Sequence, residues 1–328
     1  MDLDTVTVRV GEAESAVNIT VYRNLLSDVS PYFRGAFEGS FVEAADRFIS
    51  LTDVTEQTFR MFLQWVHTQV HQHSSGATIP SPVILLPGST AKNAGNTTTA
   101  PVELQPPHHT QSVPDAGFLP DDISALDEMG GHQKRWDIKE IEGLQLKGSE
   151  WINGYRLSLL SFLRLYVFAD KYNVPQLRDD VLTALTAQSI SWWWWPGVDR
   201  ELMESAYATL PPSSKFIRFL VLSTAYCWLS EPGSCSATRV RAMKEMNEVL
   251  AFDVMVVQNE RLKETESSEG MPFWLEDAMP NSCTLQEHLA RDAAKCRKRI
   301  REQPYIFIGL IEMCAQDALS MAKESDEE

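Results

Sequence analysis

The chain has 328 residues, 44% of them apolar, with 29 basic against 45 acidic side chains and a formal charge of −16. That length accommodates two domains, or one domain with a long decoration, and the apolar share suffices for a buried core. The charge disfavours a phosphate-backbone partner, and no uninterrupted apolar run of about 18 residues is present, so neither nucleic acid nor a membrane span is expected.

In chain order, Val6, Val8 and Val10 alternate with Thr5, Thr7 and Arg9, which predicts a half-buried strand. Gly11 opens a turn, and residues 16–21 read as the returning strand. A short helix over 24–29 precedes Ser30-Pro31, where Ser is a ready N-cap and Pro fits the first helical position of a second helix closing near Gly39. Phe48, Ile49 and Leu51 suggest a third strand. Thr55 can cap the next helix, whose Phe59, Phe62, Leu63 and Val66 recur at helical spacing. Tyr32, Phe33 and Phe37 add a further apolar stripe that needs the same core.

The character changes after Gln69. Pro80, Pro82, Pro87, Pro101, Pro106, Pro107, Pro114 and Pro120 accompany Asn- and Thr-rich runs, a composition too poor in apolar surface to offset its ordering entropy. Residues 71–149 are therefore expected to be a disordered insertion. Order returns near Tyr155 with Leu159, Leu160, Leu163 and Val167 on one helix face. Asn173 then reads as the cap of a helix with Pro175 in its first turn and Leu177, Val181 and Leu185 inward. Helical patterns continue over roughly 199–209, 214–229, 237–252 and 285–322, interrupted at Pro304, and the chain ends in an acidic tail.

Two blocks carry a family resemblance: VYRNLLSDVSPYFRGAFEGSFVEA at 21–44 followed by MFLQWVHT at 61–68, and FLRLYVFADKYNVPQLRDDVLTAL at 162–185. Together they resemble the BTB/POZ fold, most like the versions common in filamentous fungi. The resemblance implies an α+β fold, short strands capping a cluster of helices, followed by an all-α C-terminal region. Residues 1–70 would form the first part of the BTB/POZ unit, 71–149 the insertion, 150–190 the closing helices and 191–328 the helical tail. Residues 200–229 also look like the tail helices of fungal members.

The match departs from the family at three points. Tyr22 stands where the family usually has a His paired with an Asp near the chain start, here Asp4, so that charge pairing is expected to be lost. The chain begins almost at the first strand, leaving no sequence for the extra N-terminal elements some members exchange, so a swapped dimer is not expected. The insertion replaces a short strand and a tight connection, in a region often near the partner surface.

The resemblance implies protein partners and self-association. Phe41-Val42-Glu43 resembles the hydrophobic-x-Glu motif by which some BTB proteins engage a cullin scaffold, an aromatic anchoring in a pocket while a carboxylate fixes register. The competing reading is that Phe41 closes the domain's own core. Trp192, Trp193, Trp194 and Trp195 cannot share one face of a helix or strand, and Pro196 pushes the run to a helix end or loop. They read either as a packing wedge or as an interaction anchor.

Metal and catalytic readings are weak. Six of the seven histidines fall between residues 67 and 132, in and beside the expected insertion, and Cys283, His288 and Cys296 lack a fourth ligand, so no metal or other cofactor is expected. The five cysteines are odd in number and form no Cys-x-x-Cys pair, and no secretory signal is visible. Free thiols in a reducing compartment follow, hence an intracellular protein, cytoplasmic or nuclear. Lys295, Arg297, Lys298, Arg299 and Arg301 read as the basic face of an exposed helix, and Asp179-Asp180 as solvated helix surface. No nucleophile elbow, phosphate-binding glycine loop or His-Glu-x-x-His sequence is present, so no catalytic residues are assigned and an enzyme is not expected.

Overall fold

The structure is a computed structural model that describes residues 4–12, 14–70, 149–191, 199–230, 237–267, 285–287 and 293–327. Residues 71–148 of the expected insertion and the Trp192–Trp195 run lie outside the described residues, and residue 149, expected to close the insertion, already starts a helix.

The first part is a small sheet on a helical cluster. Strand β1 (Thr5–Val10) pairs antiparallel with β2 (Val17–Tyr22) and parallel with β3 (Phe48–Leu51), giving the order β2-β1-β3. The alternation read from sequence holds, because Val6, Val8 and Val10 are buried against the helices below. Helices α1 (Arg23–Val29), α2 (Pro31–Glu38) and α3 (Val42–Asp46) link β2 to β3, and α4 (Glu56–Val70) follows. Ser30 caps α2 by accepting from the Phe33 amide at 3.2 Å, with Pro31 at the first position, as its sequence requires.

The second block closes that core. Helices α5 (Ser149–Lys171) and α6 (Pro175–Ser191) pack on each other, and α5 packs on α4. The Ser30 hydroxyl, besides capping α2, donates to the Tyr172 carbonyl at 2.6 Å, tying the two blocks together across 142 positions. An aromatic cluster joins the same helices: Phe33 stacks on Tyr172 at 5.7 Å and on Phe62 at 6.1 Å, and Phe168 lies 4.8 Å from both Phe62 and Tyr172. The two blocks share this packing although 78 residues separate α4 from α5 in sequence. Tyr32 departs from its expected burial, its ring standing against Phe33 and Tyr172 with much of its face exposed.

Asn173 does not cap α6. It takes the left-handed conformation (φ 48°) just past the end of α5, with its amide bonded to the Asp170 carbonyl and the Val174 amide to the Ala169 carbonyl at 2.8 Å. That pair of bonds is a Schellman motif, which ends a helix, and Asn is one of the few side chains tolerated there.

The C-terminal helices are α7 (Arg200–Thr209), α8 (Lys215–Ser230), α9 (Ala237–Met246), α10 (Glu248–Ser267), α11 (Ala293–Glu302) and α12 (Pro304–Glu327). Asn247 splits the helix expected over 237–252, its side chain accepting from the Val249 and Leu250 amides to start α10. The last helix is not peripheral: α12 packs on α4, α5 and α6, and its Phe307, Leu310 and Cys314 join the continuous core that contains Phe33 and Phe62. Its Asp317 is buried and accepts from the Ser161 hydroxyl at 2.6 Å. Residues 304–322 are long and apolar enough by composition to cross a membrane; in this fold half of that stretch is buried against protein.

One polar contact binds the whole arrangement. Asp180 is 2% exposed, where a lone carboxylate would be heavily penalised. Its Oδ1 accepts from Gln176 at 2.9 Å, and its Oδ2 accepts from the Trp65 indole at 2.9 Å and from Arg299 at 2.5 Å. Arg299 also donates to Gln69 and Gln303. Asp180 is therefore not solvated helix surface, and Arg299 is not part of an exposed basic face. Burial pushes the Asp180 carboxyl above the usual carboxylate range, while Arg299, Trp65 and Gln176 pull it back.

Removing one partner of such a pair leaves an uncompensated buried charge, so Arg299→Met is expected to cost about 3–5 kcal/mol by denaturant unfolding. Adding Asp180→Leu should recover most of the loss. A carboxyl whose folded pKa is raised is easier to protonate in the folded than in the unfolded chain, so the Arg299→Met defect should shrink as pH falls towards the unfolded carboxylate pKa, about 3.9.

Candidate partner-binding site

The α2–α3 corner exposes two neighbouring large apolar side chains, Phe41 and Val42. Helix α2 ends where the Gly39 amide bonds to the Gly35 carbonyl at 3.0 Å. Two residues later Phe41 takes an extended conformation as the residue before α3, and Glu43 enters that helix's first turn. Arg47, left-handed at φ 50°, ends α3 and turns the chain into β3, where its carbonyl accepts from the Thr7 amide at 2.9 Å. The corner is thus fastened at both ends, to α2 and to the sheet.

Between those anchors the side chains point outward. Phe41 is 63% exposed and Val42 65%, so Phe41 does not close the domain's core. Glu43 is half-buried, and no hydrogen bond to its carboxylate is made among the described residues. Of the residues singled out in sequence, Phe41, Val42 and Glu43 are brought together on this corner, whereas Trp192–Trp195 lie outside the described residues.

The backbone at Gly39 passes close to both the end of α2 and the Phe41 ring. A Cβ on Gly39 would lie 2.4 Å from the Gly35 carbonyl oxygen and 3.2 Å from Phe41 Cδ2. Only glycine lets the backbone double back this tightly under the ring.

Asp4 sits near the start of β1, where the expected charge pairing was to be lost with Tyr22. The structure supplies it from elsewhere: Arg23 reaches Asp4 at 2.6 Å and Arg47 at 3.4 Å, while Tyr22 is exposed. The substituted position moved the cation by one residue rather than removing it.

A model of the BTB/POZ domain family matches residues 2–80. The chain carries a BTB/POZ domain. No curated protein and no solved structure matched the chain. The BTB/POZ domain is a protein-interaction module, and members often self-associate. The matched span contains the sheet, the α2–α3 corner and α4, so the exposed Phe41 and Val42 lie within the BTB/POZ domain itself.

Sequence reasoning missed the Asp180 cluster, though a signal existed. Asp180 follows Leu177 by three positions and precedes Ala184 by four, which sets it on the buried face of α6. Beside the cluster lies a cleft of about 300 Å³ walled by Asp179, Gln286, Lys295, Cys296 and Phe307. Its polar groups are already engaged: Asp179 accepts from the Glu287 amide at 2.8 Å and Cys296 lies 2.8 Å from Gln286 Oε1. Among the described residues no group of acidic, His and Cys side chains is arranged to hold a metal; Cys283 and His288 lie outside them.

Gly39→Ala should force the corner apart, lowering the thermal midpoint by several degrees, about what 1–2 kcal/mol produces in a domain of this size. Ser40→Ala, one residue further along at an exposed site, should leave it within error.

Proposed function

We propose that this protein is a substrate adaptor for a cullin-type ubiquitin ligase, with Phe41 and Glu43 engaging the cullin scaffold. The observation that carries the reading is the exposure of Phe41 on a rigid corner of a protein-interaction domain. An aromatic side chain held in water by a fixed backbone gains its full burial energy on docking, with little conformational entropy left to lose. The neighbouring Glu43 carboxylate adds a directional contact that orients the anchor.

An adaptor needs a second surface for its substrate. The C-terminal helices supply one in α10, where Val249, Phe252 and Val256 recur at helical spacing on the exposed side and Met255 flanks them, while Leu250, Val254 and Val257 are buried. That division of labour, scaffold at the BTB/POZ corner and substrate at the tail, fits a chain in which both parts share one core. The compartment consistent with this role is intracellular, cytoplasmic or nuclear.

The alternative is a self-associating scaffold that never meets a cullin. Pulldown of purified cullin N-terminal domain by the full chain separates the two. Phe41→Ala with Glu43→Ala should weaken binding by about 2–4 kcal/mol, some thirtyfold or more, without changing the thermal midpoint, because both residues lie outside the core. Failure of the wild-type chain to bind any cullin leaves the scaffold reading.

A further inference from the structure

We infer that the free edge of β2 is a self-association surface, pairing antiparallel with β2 of a second copy to form one six-stranded sheet. The inference starts from which backbone groups of β2 remain unpaired. The Arg23 amide bonds to the Asp4 carbonyl, and Asp4 stands opposite Arg23 in the β1–β2 register. In an antiparallel ladder such directly bonded pairs alternate with non-bonded ones. Arg23, Val21, Ile19 and Val17 therefore turn their N–H and C=O groups to β1, and Asn18, Thr20 and Tyr22 turn theirs outward. The other edge of β1 agrees: the Thr7 amide bonds to Arg47 on the β3 side.

Nothing among the described residues covers this edge. Asn18, Thr20 and Tyr22 are exposed, and β2 packs on β1 and α1 alone among its main neighbours. Natural edge strands are protected by Lys, Pro, bulges or inward charges. The six residues VNITVY contain no Lys, Pro or charged side chain and pair with β1 without a bulge.

The partner that fits is a second copy of this chain. Side chains opposite one another must share a face, so Val17, Ile19 and Val21 can meet only one another across the junction. A two-fold axis at Ile19 sets Ile19 against Ile19 of the second copy, Val17 against Val21, and Asn18 against Thr20. The Asn18–Thr20 pairs are the outward-facing ones, so each exchanges two hydrogen bonds. That interface is isologous and closes.

Charge also selects this edge. A chain at −16 repels its copy over most of its surface. The six residues of β2 are neutral, so pairing through this edge brings no like charges together along the strand. The edge lies across β1 from β3, into which the Phe41 corner leads, so the inference does not depend on cullin binding.

The test uses the full chain in sedimentation velocity over a concentration series, with two variants. Thr20→Pro removes an outward donor and leaves the β1 ladder intact, so it should abolish the dimer with an unchanged circular dichroism spectrum. Ile19→Cys should form, under mild oxidation, a disulfide joining the two position-19 thiols, located by mass spectrometry; this readout stands even where Thr20→Pro fails to fold. A wild-type chain that stays monomeric while Ile19→Cys does not cross-link overturns the inference. So does a dimer that persists undiminished in a folded Thr20→Pro chain.

Discussion

A carboxylate removed from water at Asp180 is the constraint on which the rest of the fold depends. Transfer of an isolated carboxylate into the interior is prohibitive, and its attraction to a single cation repays the cost only with good geometry and further hydrogen bonds. The chain meets that requirement with three donors from three places: Trp65 on α4, Gln176 on α6 itself and Arg299 on α11. Loss of any one of them leaves the buried carboxylate short of a donor. The contacts among residues 65, 180 and 299 join α4, α6 and α11, which makes the C-terminal helices part of the unit that holds the BTB/POZ domain rather than an appendage to it.

The apolar packing says the same in a different currency. Helix α12 lies against α4, α5 and α6 and contributes Phe307, Leu310 and Cys314 to the core that Phe33 and Phe62 occupy. Each large side chain so buried contributes roughly 1.5–3 kcal/mol. Hydrophobic contact is non-directional, however, and allows helices to slide; the Asp180 and Asp317 contacts are directional and select one register of α11 and α12 on the rest.

What sequence could and could not convey follows from the range of the interactions. Strand alternation at Val6, Val8 and Val10, the Ser30-Pro31 helix start and the stripe Leu177, Val181, Leu185 are local patterns, and each was legible. Asn173 was misplaced because a capping residue and a Schellman terminator both look like a polar residue between helices; only the backbone, left-handed at that position, distinguishes them. Asp180 and Arg299 were read as solvated because their partners lie 115 and 119 positions away from Asp180. No local rule pairs such residues, although the place of Asp180 on the buried face was visible. The Phe41 corner was half legible: the motif stood out, but whether its aromatic faced core or solvent depended on how Gly39 folds back against Gly35.

Rigidity and exposure are linked in this design. The α2–α3 corner is tied to α2 through Gly39 and to the sheet through Arg47, and Phe41 stands exposed between those ties. The sheet separates two surfaces. Helix α3 runs into β3 on one side of β1, while the unpaired edge of β2 lies on the other. In a dimer joined through β2, both Phe41 corners remain open at opposite ends of one continuous sheet. Two scaffold-binding anchors and two α10 surfaces would then be carried by one rigid body, and a partner with paired sites would bind the second at an effective concentration set by the sheet rather than by diffusion. On that reading the strand edge would act on valency and the aromatic anchor on the affinity of each contact.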